Sequence, residues 1–165
     1  FPQDRHERVA ALQDELVVEA LVEPGADGLL ESGEIDDHAL GVEPLCRVAA
    51  TRTAGVHPSR MGEGPIPAMR ALWAATDTDA RAIDLVELNE AFAAQALACV
   101  RALELDPARV NVAGGAIALG HPIGASGARI AGTLAHALVR HQVKRGIAAL
   151  CIGVGQGIAT LLERD

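Results

Sequence analysis

The sequence predicts an α/β layer fold, a five-stranded mixed sheet with helices packed on its faces. Three observations lead there. Short β-branched apolar runs alternate with longer Ala-rich stretches of helical spacing, the pattern of strands covered by helices. The last two runs are joined by a short Gly-rich turn, so the chain closes on an antiparallel hairpin. Half of the 165 residues are hydrophobic, yet aromatics make up only 2%. A core of small side chains lets helices approach a sheet closely, and this length is enough to bury one.

Composition also bounds function. The formal net charge of −8 argues against nucleic acid or an anionic membrane surface as the main partner. No apolar run has the length of a membrane span, and no secretory signal opens the sequence. Cys46, Cys99 and Cys151 are too few and too scattered for a disulfide framework and fit a reducing, cytoplasmic setting. Phe1 stands where an initiator Met would, which reads as a fragment or a processed product.

In chain order, Val9, Leu12, Leu16 and Ala20 recur at helical spacing, so residues 1–24 read as one amphipathic helix ended by Pro24-Gly25. Residues 25–44 form an acidic linker with room for a short helix around Ile35–Leu40. The run from Glu43 to Val56 is rich in β-branched and small residues and predicts the first strand of the sheet. A turn-rich loop, His57–Pro67, leads into a helix over Ala68–Thr76, with Pro67 suited to its first position. Ile83–Leu88 predicts a second strand, and Asn89 stands at its end or caps the helix Ala91–Leu103. Val110–Val112 predicts a third, short strand.

Residues 111–130 organise the rest. They are dense in Gly, which is costly in a helix and weak in a strand, so the backbone here is shaped for close approach. The loop feeds a helix running through Val139, and a helix N-terminus directs N–H groups and a positive dipole end into such a loop. Ile147–Ile152 predicts a buried strand, Gly153–Gly157 a sharp turn and Ile158–Leu162 the last strand.

Three reactive side chains fall at loop or strand ends: Asn89, His121 and Cys151. In open α/β sheets ligands bind beyond the carboxyl ends of parallel strands, where such positions converge. A Cys near a His is the arrangement of an activated thiol, and the Gly turn after Cys151 leaves N–H groups free for an oxyanion. Each has a plainer reading. Cys151 in a buried strand reads first as a small core residue. His121, between Gly120 and Pro122, has little helix or sheet reason to be there, so its functional and structural readings balance. Other chemistries fail on spacing. Gly115 to Gly120 has the span of a phosphate loop, but His121-Pro122 follows where Lys and Ser or Thr are required. Gly153-Val-Gly-Gln-Gly157 precedes a β-branched strand and not the helix of a dinucleotide site. Cys151 and His121 have no further ligands at local spacing for zinc, so no metal is expected.

Met61-Gly-Glu-Gly-Pro-Ile-Pro-Ala68, Leu88-Asn-Glu-Ala-Phe-Ala93, Asn111–Arg129 with its Gly-His-Pro core, and Cys151-Ile-Gly-Val-Gly-Gln-Gly157 resemble, in order and spacing, four blocks of the thiolases. These acyl-CoA acyltransferases make or split 3-ketoacyl-CoA. The resemblance covers about residues 40–163 and implies an atypical N-terminal segment over residues 1–40, then a thiolase C-terminal domain over residues 41–165. It implies that His121 deprotonates a nucleophilic Cys and donates to an oxyanion hole. It further implies that Asn89 holds the water completing that hole. Cys151 would be the acid/base acting on the incoming acyl-CoA, and the Gly153 N–H would join a second oxyanion hole. Coenzyme A and acyl-CoA would be substrates, with no permanently bound cofactor, and the domain would pair with an N-terminal thiolase half and form a homo-oligomer. The family's nucleophile lies in that half, and the family's CoA-gripping loop also lacks a counterpart here. The chain alone is therefore expected not to turn over acetoacetyl-CoA; the alternative is a non-catalytic, truncated thiolase-like assembly module. Val154 stands where Gly is commoner, which is similar to thiolases of the β-ketoadipyl-CoA type.

Overall fold

The computed structural model describes residues 23–24, 30–31 and 44–165. The expected helix over residues 1–24, apart from its last two residues, the short helix around Ile35–Leu40 and the boundary at residue 40 lie outside them. At Glu23-Pro24, where that helix was expected to end, the chain is instead extended. These two residues form β1 and pair antiparallel with β2, Leu30–Glu31.

The main sheet contains four named strands, β3 (Arg47–Gly55), β4 (Leu85–Leu88), β5 (Arg145–Ile152) and β6 (Gln156–Glu163), in the order β3-β6-β5-β4. β6 runs antiparallel to both neighbours, and β5 and β4 are parallel, so the sheet is mixed as expected. Five strands were expected and four form. The segment read as Val110–Val112 is reduced to a single parallel bridge between Val110 and Val86. Asn111 then turns left-handed, φ 50°, and its side chain takes over the pairing. Its Oδ1 accepts from Leu88 N–H at 2.8 Å, and its Nδ2 donates to the Leu88 carbonyl at 2.9 Å. An amide side chain thus does for β4 what a fifth strand's backbone would have done.

Helices cover both faces. α1 (Pro65–Thr76) starts earlier than expected, with Pro65 in its first turn, where a missing N–H costs nothing. With α2 (Ala93–Ala102), it buries Ala68, Met69, Leu72 and Cys99 against Val86, Leu88, Ile147, Ala149 and Leu161. α3 is one short turn, Ala116–Leu119. α4 (Ser126–His141) covers the other face, where Ile130, Leu134 and Leu138 meet Leu85, Ala148 and Leu162. Strand alternation sorts the two cores: Leu85 and Ala148 face α4, whereas Val86 and Ile147 face α1 and α2. No helix among the described residues is long and apolar enough to cross a membrane.

Two close approaches fix the hairpin that carries Cys151. A Cβ on Gly157 would lie 2.1 Å from the Gly64 carbonyl carbon, so the start of β6 touches the entry to α1. The carbonyl of Gly155, a residue at φ 93°, accepts from Val56 N–H at 2.7 Å, and a Cβ on Gly155 would meet the Val56 oxygen.

Candidate active site

Asn89 and His121 meet at the carboxyl end of β4. Asn89 N–H still bonds the Ala149 carbonyl, so the residue completes the ladder and does not cap α2; Phe92 stands at that cap. Asn89 is 1% exposed. Its Nδ2 lies 3.3 Å from His121 Nε2, and its buried Oδ1 has no partner among the described residues. An unpaired buried carbonyl oxygen is costly unless water or a ligand meets it.

His121 is delivered by a loop that α3 and α4 bracket. Gly120 ends α3 at φ 87°, a conformation that favours Gly, and turns the chain outward. Ser126, fully buried in the first turn of α4, lies with its Oγ 2.6 Å from His121 Nδ1. The same Oγ donates to the Pro122 carbonyl at 3.1 Å. A hydroxyl has one proton. Directed at Pro122, it leaves the Ser126 oxygen to accept from Nδ1–H, and the neutral ring then carries its lone pair on Nε2, beside Asn89. That is the tautomer of a base facing the site.

Glu90 ties the two loops together. Its carboxylate accepts from Ile117 N–H and from Asn111 Nδ2, each at 2.9 Å, and stands where a Cβ on Gly115 would fall. It caps the turn of α3 that leads to His121.

Cys151 lies one strand over, near the end of β5 and opposite Gly157 in β6. By alternation it shares the face of Ile147 and Ala149, toward α2, and no hydrogen bond joins it to the His121–Asn89 pair among the described residues. Burial pushes its thiol up from the ordinary value, only partly offset by a backbone hydrogen bond, so the neutral, proton-bearing form is favoured. Gly153 follows in the exposed turn, and the space its Cβ would occupy is open. Val154 beside it is left-handed, φ 59°, an uncommon conformation for a β-branched residue.

The structure therefore joins Asn89 with His121 and sets Cys151 and Gly153 on the neighbouring strand end. It adds residues that sequence reasoning missed. Ser126 precedes a helix and reads as an ordinary cap; its spacing of five from His121 was the available signal. Glu90 and Asn111 lie inside the family blocks, where nothing local marks them as the link between two loops. The rim is apolar: Phe92, Ile117, Leu119, Ile123 and Val154 are all exposed. A separate cavity of about 320 Å³, lined by Arg47, Asp84 and Glu163 among others, lies at the opposite end of the sheet and holds none of these groups.

Comparison with known proteins bears on the whole arrangement. Residues 42–164 match the family model described as thiolase, C-terminal domain. An acetyl-CoA acetyltransferase of Pseudomonas aeruginosa is 51% identical over 141 residues, covering 86% of this chain and 36% of that protein. A 3-ketoacyl-CoA thiolase of Shigella boydii is 46% identical over 143 residues, covering 85% and 37%. The crystal structure of human mitochondrial 3-ketoacyl-CoA thiolase in complex with CoA superposes with a TM-score of 0.77 at 43% identity, over 81% of this chain and 34% of that one. The chain thus spans about a third of the length of the relatives it matches. With its four motifs and these likenesses in agreement, the chain belongs to the thiolase family, of which it carries the C-terminal domain.

Proposed function

We propose that this chain supplies the C-terminal half of an acyl-CoA acyltransferase, which cleaves 3-ketoacyl-CoA with CoA or condenses acyl-CoA in the reverse direction. The observation that carries the reading is the Ser126–His121–Asn89 chain, which leaves a basic Nε2 at the carboxyl end of β4. In the proposed reaction, His121 Nε2 takes the proton of a nucleophilic Cys supplied by a half outside these 165 residues. That thiolate attacks the thioester or ketone carbonyl. The developing oxyanion is met by His121 and by a water held on the free Oδ1 of Asn89. Cys151, favoured in its neutral form, gives its proton to the departing carbanion in cleavage and removes the α-proton in condensation. The Gly153 N–H, in the exposed turn after Cys151, stabilises the second oxyanion. CoA and acyl-CoA act as substrates, and no permanent cofactor enters the scheme.

The domain division follows the same reading: residues 1–40 are an atypical N-terminal segment and residues 41–165 the thiolase domain. The exposed apolar rim supports pairing with a nucleophile-bearing half and assembly into a homo-oligomer. The same rim also favours the second reading, a non-catalytic module that binds a partner through it. The free thiols Cys46, Cys99 and Cys151 suit a cytoplasmic setting.

Mixing the chain with the part of the Pseudomonas aeruginosa relative that precedes the matched segment tests these readings. The chain alone should show no CoA-dependent cleavage of acetoacetyl-CoA, and the mixture should show it. A stable complex without cleavage would favour the assembly module, and cleavage by the chain alone would overturn the need for a second half.

A further inference from the structure

The turn that leads to His121 has little packing to hold it. Of α3 only Ala116 is buried, while Ile117 and Leu119 stand exposed. A single helical turn is not stable by itself, because fixing its backbone outweighs the few hydrogen bonds it makes. Its place must come from contacts outside it. On one side the loop is tied to α4, through Ser126 and through Arg129 Nη1, which donates to the Gly120 carbonyl at 2.8 Å. Toward the end of β4, the hydrogen bonds that cross from the loop 112–125 among the described residues are Ile117 N–H to Glu90 and Asn89 to His121. Two neighbours in sequence supply both. Glu90 holds the start of α3, and Asn89 meets the ring that follows its end.

The donors that face Glu90 are fixed by other residues. Ile117 offers a backbone N–H, which can only donate. Asn111 offers an amide, and Leu88 decides which end of it points where. Asn111 Oδ1 accepts from Leu88 N–H while Nδ2 donates to the Leu88 carbonyl, so a flipped amide would set donor on donor and acceptor on acceptor. The second Nδ2 proton is thereby directed to Glu90 Oε1 at 2.9 Å, and Ile117 N–H reaches Oε2 at 2.9 Å. A carboxylate accepts at both oxygens, whereas an amide of the same shape accepts at one end and donates at the other. The space is as selective as the polarity. A Cβ on Gly115 would lie 2.3 Å from the Glu90 carboxyl carbon.

We propose that Glu90 is a positioning residue for the Asn89–His121 pair, an acceptor-only strut between Asn111, locked to β4, and the first turn of α3. The carboxylate sets how far α3 stands from the strand end, and so keeps His121 Nε2 within reach of Asn89 Nδ2. Glu90 touches no reacting atom in this role. What the strut means for catalysis rests on the reading of His121 as the base; the strut itself does not.

Nuclear magnetic resonance on the full chain tests the proposal without any turnover. Glu90→Gln keeps the shape and turns one acceptor into a donor. Gly115→Ala keeps the carboxylate but places a methyl where it stands; Gly115 has φ −112°, which Ala adopts freely. Each variant should raise the exchange rate of the Ile117 amide about tenfold, the scale of one lost hydrogen bond. Each should also abolish the nuclear Overhauser contact between the Asn89 side-chain amide and the His121 ring. The Leu103 amide, bonded to the Cys99 carbonyl in the core, should keep its protection and show that the fold is intact. Unchanged Ile117 exchange in both variants overturns the strut. Faster Ile117 exchange with the Asn89–His121 contact intact reduces Glu90 to a helix cap and overturns the positioning role. Should Glu90→Gln fail to fold, Gly115→Ala decides alone, since its methyl meets only the far end of a flexible side chain. Acyltransferase activity could fail while these signals behave as expected, and the signals could fail while activity stands, so the two readings are separable.

Discussion

A carboxyl group buried beneath the site makes the fold sensitive to pH. Burial, with the nearby Glu90 charge, raises Glu87 from 4.5 to about 7 against the pull of Arg129. Between those values the folded chain holds a proton that the unfolded chain has released. Stability contributed by this group is therefore present below pH 4.5 and is lost as pH rises through about 7. A shift of this size corresponds to roughly 3 kcal/mol at most. In urea denaturation, Glu87→Gln should match the parent near pH 4 and exceed it by up to about 3 kcal/mol at pH 8. A constant difference across that range would place the effect elsewhere. Glu87 was not legible in the sequence, because it alternates onto the face of Leu85 while Asp84 falls on the other, and nothing local says which face is covered. Only the cover of α4 turns that face inward. His121 was legible, since Gly120 and Pro122 leave it no part in a regular element. Its partner Ser126 was not, because Ser at a helix start has a commoner use as a cap. Here Ala125 stands at the cap and Ser126 serves the ring.

Between elements, the deciding contacts are backbone to backbone. Gly64 and Gly157 face each other where α1 begins and β6 starts, and a Cβ on either would fall within 2.2 Å of the other strand's or loop's backbone. Neither backbone can move without shifting the hairpin that carries Cys151. Gly157→Ala should therefore cost about 3 kcal/mol of stability in a denaturant titration, at the upper end of ordinary overpacking. A loss of under about 1 kcal/mol would mean that the two elements separate easily. The helices, the alternation and the closing hairpin were legible from periodicity and turn chemistry. Boundaries moved where a neighbouring residue took the terminal position. Pro65 and not Pro67 opens α1, and Phe92 rather than Asn89 caps α2. The missing fifth strand has a related origin. Val110-Asn-Val112 has strand composition, but the Asn111 side chain can imitate a peptide unit, and its left-handed backbone ends the extended run after one bridge.

At the scale of the molecule, one end of the sheet is chemically equipped and open. Apolar side chains next to Asn89 and His121 in the chain are exposed, among them Phe92 at 65% and Ile123 at 74%. The proposed thiolysis requires such a site to be walled off, because enolates and oxyanions are stabilised where water is excluded. The sequence disclosed both the family and the parts it carries, since the four motifs are local. The pairing of Asn89 with His121 across 32 residues needed the fold. Replacing the matching C-terminal segment of the Pseudomonas aeruginosa acetyltransferase with residues 42–164 would close the site. Thiolysis of acetoacetyl-CoA by that chimera then reads out whether His121 and Cys151 of this domain act as acid–base groups. The chimera should be active, and His121→Ala and Cys151→Ala should each lower its kcat at least about a hundredfold, the usual scale for loss of an acid–base group. A folded chimera without activity, or one whose activity survives both substitutions, would contradict those roles.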